Sequence, residues 1–343
     1  MPDMPHLLFY GPSGAGKKTR ITCLLREIFG PGVEKLKAVT RTVKTSSKTV
    51  EIATVQSNWH VEITPSDAGS RDLQVVQEVI KEIAMTPSVS ASVRSMASGE
   101  SKAQDSMSAG GGAGGVPPFK VVVLHDVDRL SLDAQHGLRR TMEQYTQSCR
   151  LILCCESACR VAAPLRSRTL MIRIPAPSTE SVVRVLNRIA ENESLELPLP
   201  FATRLSELTQ GNLRRAILAL EAAKVDQYPF APNQKLHIPE WEKFIADLAT
   251  LICEEQSPAR LLLARGKVYE LLTNCIPADI ILRKLTECLL ARVDDELRHK
   301  VVRWAAYYDH RMALGSKPVF HIEAFIAKFM AMYRNWLINA FGG

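Results

Sequence analysis

The sequence lacks the features of a membrane or secreted protein, since it has no apolar stretch long enough to span a bilayer and no signal peptide. The absence of a membrane span and of a signal peptide predicts an intracellular protein with no membrane partner. The sequence also shows no internal repeat. Four of its eight cysteines fall in one region, namely Cys149, Cys154, Cys155 and Cys159. Their spacing does not fit the paired C-x2-C pattern of zinc knuckles. Because two of them lie in an apolar run, we expect buried free thiols and assign no metal ligands.

The composition is that of a globular protein with more than one domain. The 343 residues are 46% hydrophobic and 23% charged, and they carry a net charge of +7. A chain of this length can bury a sizeable core without disulfides or metals. A modest positive charge suits an anionic partner such as nucleic acid.

Alternating strand and helix patterns predict an α/β fold with a mostly parallel, five-stranded sheet. Short apolar or alternating runs predict the strands at 6–10, 59–63, 119–124, 151–155 and 170–174. Helical spacing predicts helices from Thr19 to Phe29, through Val75–Ile83, and from Leu132 to Tyr145.

Changes in composition divide the chain into three predicted regions. Residues 1–174 form the α/β domain, and residues 86–118, which are rich in Ser, Ala and Gly, are predicted to be a flexible insertion within it. Residues 175–228 read as a small helical lid, and residues 229–343 as an all-α domain suited to assembly.

A phosphate-binding loop follows the first predicted strand. The pattern Gly-x4-Gly-Lys places glycines where backbone N–H groups can converge on phosphate oxygens, with the lysine reaching the outer phosphates. A strand before it and a helix after it are the context that this motif requires. The predicted nucleotide-binding residues are Gly11, Pro12, Ser13, Gly14, Ala15, Gly16, Lys17, Lys18 and Thr19.

Two positions that normally hold Mg²⁺ are altered. The residue after the loop lysine, usually Ser or Thr, is Lys18, and Thr19 comes one position late. The strand Val121–Leu124 should end in Asp-Glu but ends in His125 and Asp126, which places a histidine at the metal position and a shorter acid at the base position. These changes argue against Mg²⁺ at this site and predict slow or absent hydrolysis, although Asp126 remains a weak candidate base.

Three longer strings resemble the small subunits of eukaryotic replication factor C, an AAA+ clamp-loader family. They are Asp133–Glu143, Cys149–Cys155 and Pro164–Arg168, and similar strings extend into the C-terminal third. The resemblance covers nearly the whole chain except residues 86–118. It implies an AAA+ domain, a helical lid and a helical collar. It also implies a segment before the phosphate loop that packs over the adenine, so we expect a sequence shortened at its N terminus.

The resemblance implies roles for individual residues. Arg168 matches an arginine that reaches in trans to the ATP of a neighbouring subunit, and Arg214 matches a lid arginine that contacts the nucleotide. Glu156 occupies a sensor position where an acid would repel phosphate. Both arginines could instead form ordinary surface ion pairs. Candidate contacts to the DNA backbone, each equally compatible with a solvated surface, are Arg71, Lys81, Arg139 and Arg140.

The resemblance implies a nuclear heteropentamer with other replication factor C subunits, which binds ATP or ADP and loads a PCNA-type ring onto primer–template DNA in replication and repair.

Two other hypotheses stay open from the residues. One is an active ATPase in which Asp126 is the base and a shifted loop brings Thr19 to the metal. The other is a small-molecule kinase, which the helical C-terminal third fits less well.

Overall fold

The computed structural model describes residues 4–44, 49–85, 119–146, 148–231 and 233–341. The predicted insertion at 86–118 lies outside the described residues. The chain divides into two compact units, the first ending at Leu236 and the second beginning at His237. The three-region division expected from the sequence stays a prediction. No helix among the described residues is long and apolar enough to cross a membrane.

The first unit is built on a seven-stranded sheet with the order β2-β3-β4-β5-β6-β1-β7. Neighbours from β4 to β7 in this order pair in parallel, whereas β2–β3 and β3–β4 pair antiparallel. The strands are β1 (Leu7–Tyr10), β2 (Lys37–Lys44), β3 (Thr49–Gln56), β4 (His60–Ile63), β5 (Lys120–Leu124), β6 (Cys149–Cys155) and β7 (Leu170–Arg173).

All five predicted strands are present, and they form the parallel part of the sheet. The sheet is larger than expected because β2 and β3 add a hairpin at one edge. The sequence of this hairpin is rich in Val and Thr, which favour strands, but its lysines and threonines interrupt any apolar run. An edge hairpin needs no fully apolar strand because part of it remains in water.

Helices cover both faces of the sheet. They are α1 (Lys17–Phe29), α2 (Asp72–Met85), α3 (Leu132–Gln144) and the single turn α4 (Ala163–Arg166). Alternate residues of β5 enter opposite cores: Val121 and Val123 join the core that includes α1, whereas Val122 and Leu124 join the core that includes α2 and α3. The carboxyl ends of the parallel strands therefore open between helices on both faces, where α/β proteins place their ligand sites.

Three helices complete the first unit: α5 (Thr179–Asn192), α6 (Leu199–Thr209) and α7 (Leu213–Asp226). They share a small core in which the rings of Phe201 and Phe230 stack with centroids 5.4 Å apart. Ser178 and Asn212 cap α5 and α7, each accepting a backbone N–H of the first turn.

The second unit is helical throughout its described residues. It contains α8 (Glu240–Glu254), α9 (Pro258–Thr273), α10 (Ala278–Leu290), α11 (Asp295–Leu314) and α12 (Pro318–Phe341). Their apolar stripes meet in one core, whose fully buried side chains include Phe325 and Phe329. The prediction of an all-helical C-terminal region is confirmed.

A buried aspartate joins the starts of α2 and α3. The Asp72 carboxylate, 3% exposed, accepts the Ser131 N–H at 2.6 Å and the Ser131 hydroxyl at 2.9 Å. The same hydroxyl caps α3 by accepting the Ala134 N–H. Asp72 therefore sets the position of α3 beside the end of β5.

Replacing Asp72 with Ala should lower the free energy of unfolding by about 1–3 kcal/mol, because the Ser131 N–H and hydroxyl both lose the acceptor that joins the two helices. Urea denaturation followed by circular dichroism measures the change. Glu78→Ala, at an exposed position of the same helix, is the matched control. Equal unfolding midpoints for the two variants would show that Asp72 does not hold the helices together.

Candidate functional site

The phosphate loop between β1 and α1 is packed too closely for side chains at two of its glycines. A Cβ added to Gly11 would lie 1.9 Å from the Ile174 carbonyl oxygen, just beyond β7. Gly14 has φ +72°, and a Cβ there would lie 1.8 Å from Asn212 Oδ1. A side chain at position 11 would meet backbone, and one at position 14 would meet the Asn212 side chain in a backbone conformation that favours glycine.

The lid helix α7 starts against this loop. The Leu213 N–H donates to the Gly14 carbonyl at 3.1 Å, and Asn212 caps the same helix. Arg214, the next residue, is exposed. The structure therefore brings the predicted lid arginine into the segment that contacts the phosphate loop.

The start of α1 is suited to binding an anion. Gly16 occupies its N-cap in the left-handed region and offers no side chain to the first backbone N–H groups. The Lys17 ammonium donates to the carbonyls of Gly11 and Pro12, at 2.7 and 2.9 Å, which holds it within the loop. These groups fit the phosphates of a nucleotide, because a helix N-terminus and an ammonium both attract negative charge.

The two altered metal positions meet at a third residue, Glu62 on β4. Its Oε2 lies 3.2 Å from Lys18 Nζ and 3.1 Å from His125 Nε2. Its Oε1 lies 3.5 Å from Nε2 of the buried His60. Because an ionised carboxylate only accepts hydrogen bonds, each of these nitrogens acts as its donor.

The surroundings of Glu62 keep it ionised although it is buried. Burial raises the pKa of this carboxyl, but the hydrogen bonds from His125 and His60 and the charge of Lys18 outweigh it. The net effect holds the Glu62 pKa far below its usual range. The stability that these partners contribute is present at neutral pH and is lost only as pH falls through that lowered pKa.

The acids after β5 have different surroundings. Asp126 is half-buried in the left-handed region, with φ 51°, and is followed by the turn Val127–Arg129. Asp128 Oδ2 accepts the backbone N–H groups of Glu156 and Ser157 at 3.3 and 3.4 Å. Asp128 thus ties the ends of β5 and β6 together, whereas the side chain of Glu156 is exposed.

Arg168, which lies between α4 and β7, is held by an ion pair at the protein surface. Its Nε and a terminal nitrogen both lie 2.7 Å from Glu143 Oε1, and a third nitrogen donates to the Pro164 carbonyl. Arg139 lies 3.5 Å from the same carboxylate oxygen. The hydrogen bond and charge of Arg168 hold the Glu143 pKa below its usual value. The Arg168 side chain is one-third exposed.

Two family models match the chain. Residues 184–225 match the model described as RCF1/5-like, AAA+ ATPase lid domain. Residues 241–337 match the model described as Replication factor C subunit 3, C-terminal domain.

Curated relatives align along nearly the whole chain. The chain is 49% identical to replication factor C subunit 3 of Arabidopsis thaliana, over 99% of this chain and 91% of that protein. It is 47% identical to the human subunit 3, over 99% and 90% of the two chains, and 40% identical to subunit 5 of Schizosaccharomyces pombe, over 96% and 88%. The chain belongs to the replication factor C family of clamp-loader subunits.

The replication factor C assignment confirms the resemblance and the predicted AAA+ fold class. A solved structure of a Thermotoga maritima RuvB variant is 14% identical with a TM-score of 0.47, over 84% of this chain and 80% of that chain. That likeness is too distant to bear on the assignment. The small-molecule kinase hypothesis is set aside because the relatives are replication factor C subunits.

The four candidate DNA contacts of this replication factor C chain lie on neighbouring elements. Arg71 ends the turn before α2, Lys81 is exposed on α2, and Arg139 and Arg140 are exposed on α3. The two helices pack tightly, since a Cβ added to Gly137 would lie 2.5 Å from the Leu73 side chain. Contact with DNA stays a prediction for each of these residues.

Sequence reasoning missed Glu62, His60 and Glu143. One signal was available for Glu62, since an acid within the otherwise apolar end of a predicted inner strand needs a partner. Nothing local marked Glu143 as the partner of Arg168, because it lies on a different element.

Of the cysteines in the 149–159 region, Cys159 is exposed, whereas burial raises the pKa of Cys149 and Cys155 to about 12 and that of Cys154 to about 11.

Replacing Gly14 with Ala should weaken nucleotide binding by about tenfold or more, which corresponds to about 1.4 kcal/mol. The new Cβ would strain the left-handed backbone and displace Asn212 from the loop. Titration with a fluorescent ADP analogue measures the affinity. Gly266→Ala on α9, where a Cβ meets nothing within 4 Å, is the control and should leave binding unchanged. Equal affinities for the two variants would contradict the proposed role of the loop.

Proposed function

We propose that this chain is a nucleotide-binding subunit of replication factor C that hydrolyses its own ATP weakly or not at all. The observation that carries the proposal is the convergence of Lys18 and His125 on Glu62. Phosphoryl transfer depends on a metal ion that neutralises charge and on a base that orients water. Here the two metal-holding positions carry N–H donors that already have a partner.

The phosphate loop supports binding of ATP or ADP without efficient turnover. Lys17 and the start of α1 supply the positive groups that a phosphate chain requires. Asp126 is one methylene shorter than the usual glutamate and sits in a left-handed turn, which is a poor arrangement for orienting an attacking water. Nucleotide would then stabilise the fold and its assembly.

Arg168 is proposed to act in trans on the ATP of a neighbouring subunit. Its pair with Glu143 is at the surface, where ion pairs contribute little to stability. Exchange of this carboxylate for a phosphate therefore costs little free energy. Glu143 would keep the guanidinium oriented before the neighbour docks.

The assembled machine is proposed to open a PCNA-type ring and place it on primer–template DNA in the nucleus. Helices α8–α12 would form the collar that joins the other replication factor C subunits. Exposed basic side chains on α2 and α3, namely Lys81, Arg139 and Arg140, would follow the DNA backbone without reading its sequence.

Substitution of Arg168 should reduce the ATPase of the complete complex more than substitution of Lys17. An arginine acting in trans is worth about 10³-fold or more at the one site it serves, so Arg168→Ala removes that site's share of turnover. Lys17→Ala affects a site that contributes little turnover. Steady-state phosphate release by the reconstituted complex measures both, with the exposed Arg160→Ala as the control.

Weak hydrolysis and active hydrolysis at the chain's own phosphate loop predict different results in ATPase assays. If Lys17→Ala lowers turnover as much as Arg168→Ala, the proposed division of roles is wrong. Multiple turnover of Mg-ATP by the isolated chain would support the rival hypothesis, in which Asp126 is the base and Thr19 reaches the metal.

A further inference from the structure

The groups at the metal position of this site do not fit Mg²⁺. A phosphate-loop protein holds that ion with the hydroxyl after the loop lysine and the acid after the neighbouring strand. Mg²⁺ requires oxygen ligands in near-octahedral geometry. Lys18 and His125 present N–H groups instead, and neither can ligate the ion in that state.

Glu62 could supply oxygen ligands for a metal in this region, but its oxygens already accept hydrogen bonds from other residues. Oε2 accepts from both Lys18 and His125, at 3.2 and 3.1 Å, and Oε1 faces His60 at 3.5 Å. A metal ion binding here would have to displace the ammonium and compete with both imidazoles. The side chain is also 6% exposed, so it is closely surrounded.

The contact with Glu62 also restricts the position of Lys18. Its side chain is 61% exposed, and a free lysine there would sample many rotamers. The buried charge of Glu62 selects the rotamers that bring Nζ to the carboxyl ends of β4 and β5. Since an unpaired buried carboxylate is strongly unfavourable, the ammonium also helps to balance Glu62, together with the two imidazoles.

We propose that the Lys18 ammonium, positioned by Glu62, replaces the divalent ion at this site, so that the chain binds its nucleotide without a metal. The inference rests on the proposed nucleotide-binding role of the phosphate loop. Lys18 and His125 are the residues that exclude the metal, and Glu62 is a positioning residue that acts through Lys18.

The first test compares ADP affinity in excess Mg²⁺ and in EDTA. Titration of the full chain with a fluorescent ADP analogue should give dissociation constants that agree within about threefold. A loss of about tenfold or more in EDTA would overturn the inference while leaving the nucleotide site intact. Absence of binding in both buffers would contradict the proposed site itself, and the inference with it.

The second test restores metal ligands. The double variant Lys18→Thr/His125→Asp places a hydroxyl and a carboxylate beside Glu62, and Mg²⁺ should then strengthen ADP binding by about tenfold or more. Thermal denaturation with ADP, with and without Mg²⁺, gives a second readout that does not depend on the fluorophore. If affinity and melting temperature of this variant are both indifferent to Mg²⁺, Lys18 and His125 are not what excludes the metal.

A double-mutant cycle tests the positioning by Glu62. Lys18→Met should weaken ADP binding in EDTA by about tenfold or more, because the cation is lost and a buried negative charge is left facing the phosphates. Together with Glu62→Gln alone, the double variant Lys18→Met/Glu62→Gln completes the cycle and should recover part of that loss. Strictly additive effects would overturn the pairing. Lys35→Met, beyond the other end of α1, removes one exposed lysine and is the control for net charge.

Discussion

A buried carboxylate must be balanced, and that constraint organises the candidate site of this chain. Glu62 lies on an inner strand of the sheet, and its three donors come from three places: Lys18 from α1, His125 from the end of β5, and His60 from β4 itself. One charged group therefore joins the phosphate helix to two strand ends. The proposed loss of hydrolysis and the proposed metal-free binding both follow from this arrangement.

The parts of the structure that could be predicted from sequence are those encoded by local patterns. The five parallel strands are short apolar or alternating runs, and four of them, β1, β4, β5 and β6, are buried on both faces. The phosphate loop could also be predicted, because its function requires a fixed spacing of glycines and a lysine within nine residues, Gly11–Thr19.

The parts that could not be predicted depend on contacts between distant residues. Glu62 and His125 are far apart in sequence and meet only because β4 and β5 are neighbours in the sheet. Arg168 and Glu143 meet in the same way, across two separate elements. The β2–β3 hairpin could not be predicted for a different reason. Its strands are polar enough for an exposed edge, so they lack the apolar run that marks an inner strand.

The contact between Gly14 and the start of α7 has a mechanical consequence. Gly14 has no side chain to separate the loop from Asn212 of the lid, and the Leu213 N–H is bonded directly to the Gly14 carbonyl. A rotation of the lid helix would therefore pull on, or break, a hydrogen bond to the backbone that is proposed to cradle the phosphates. Within this unit, nucleotide occupancy of the proposed site and the angle of α7 are therefore expected to depend on each other.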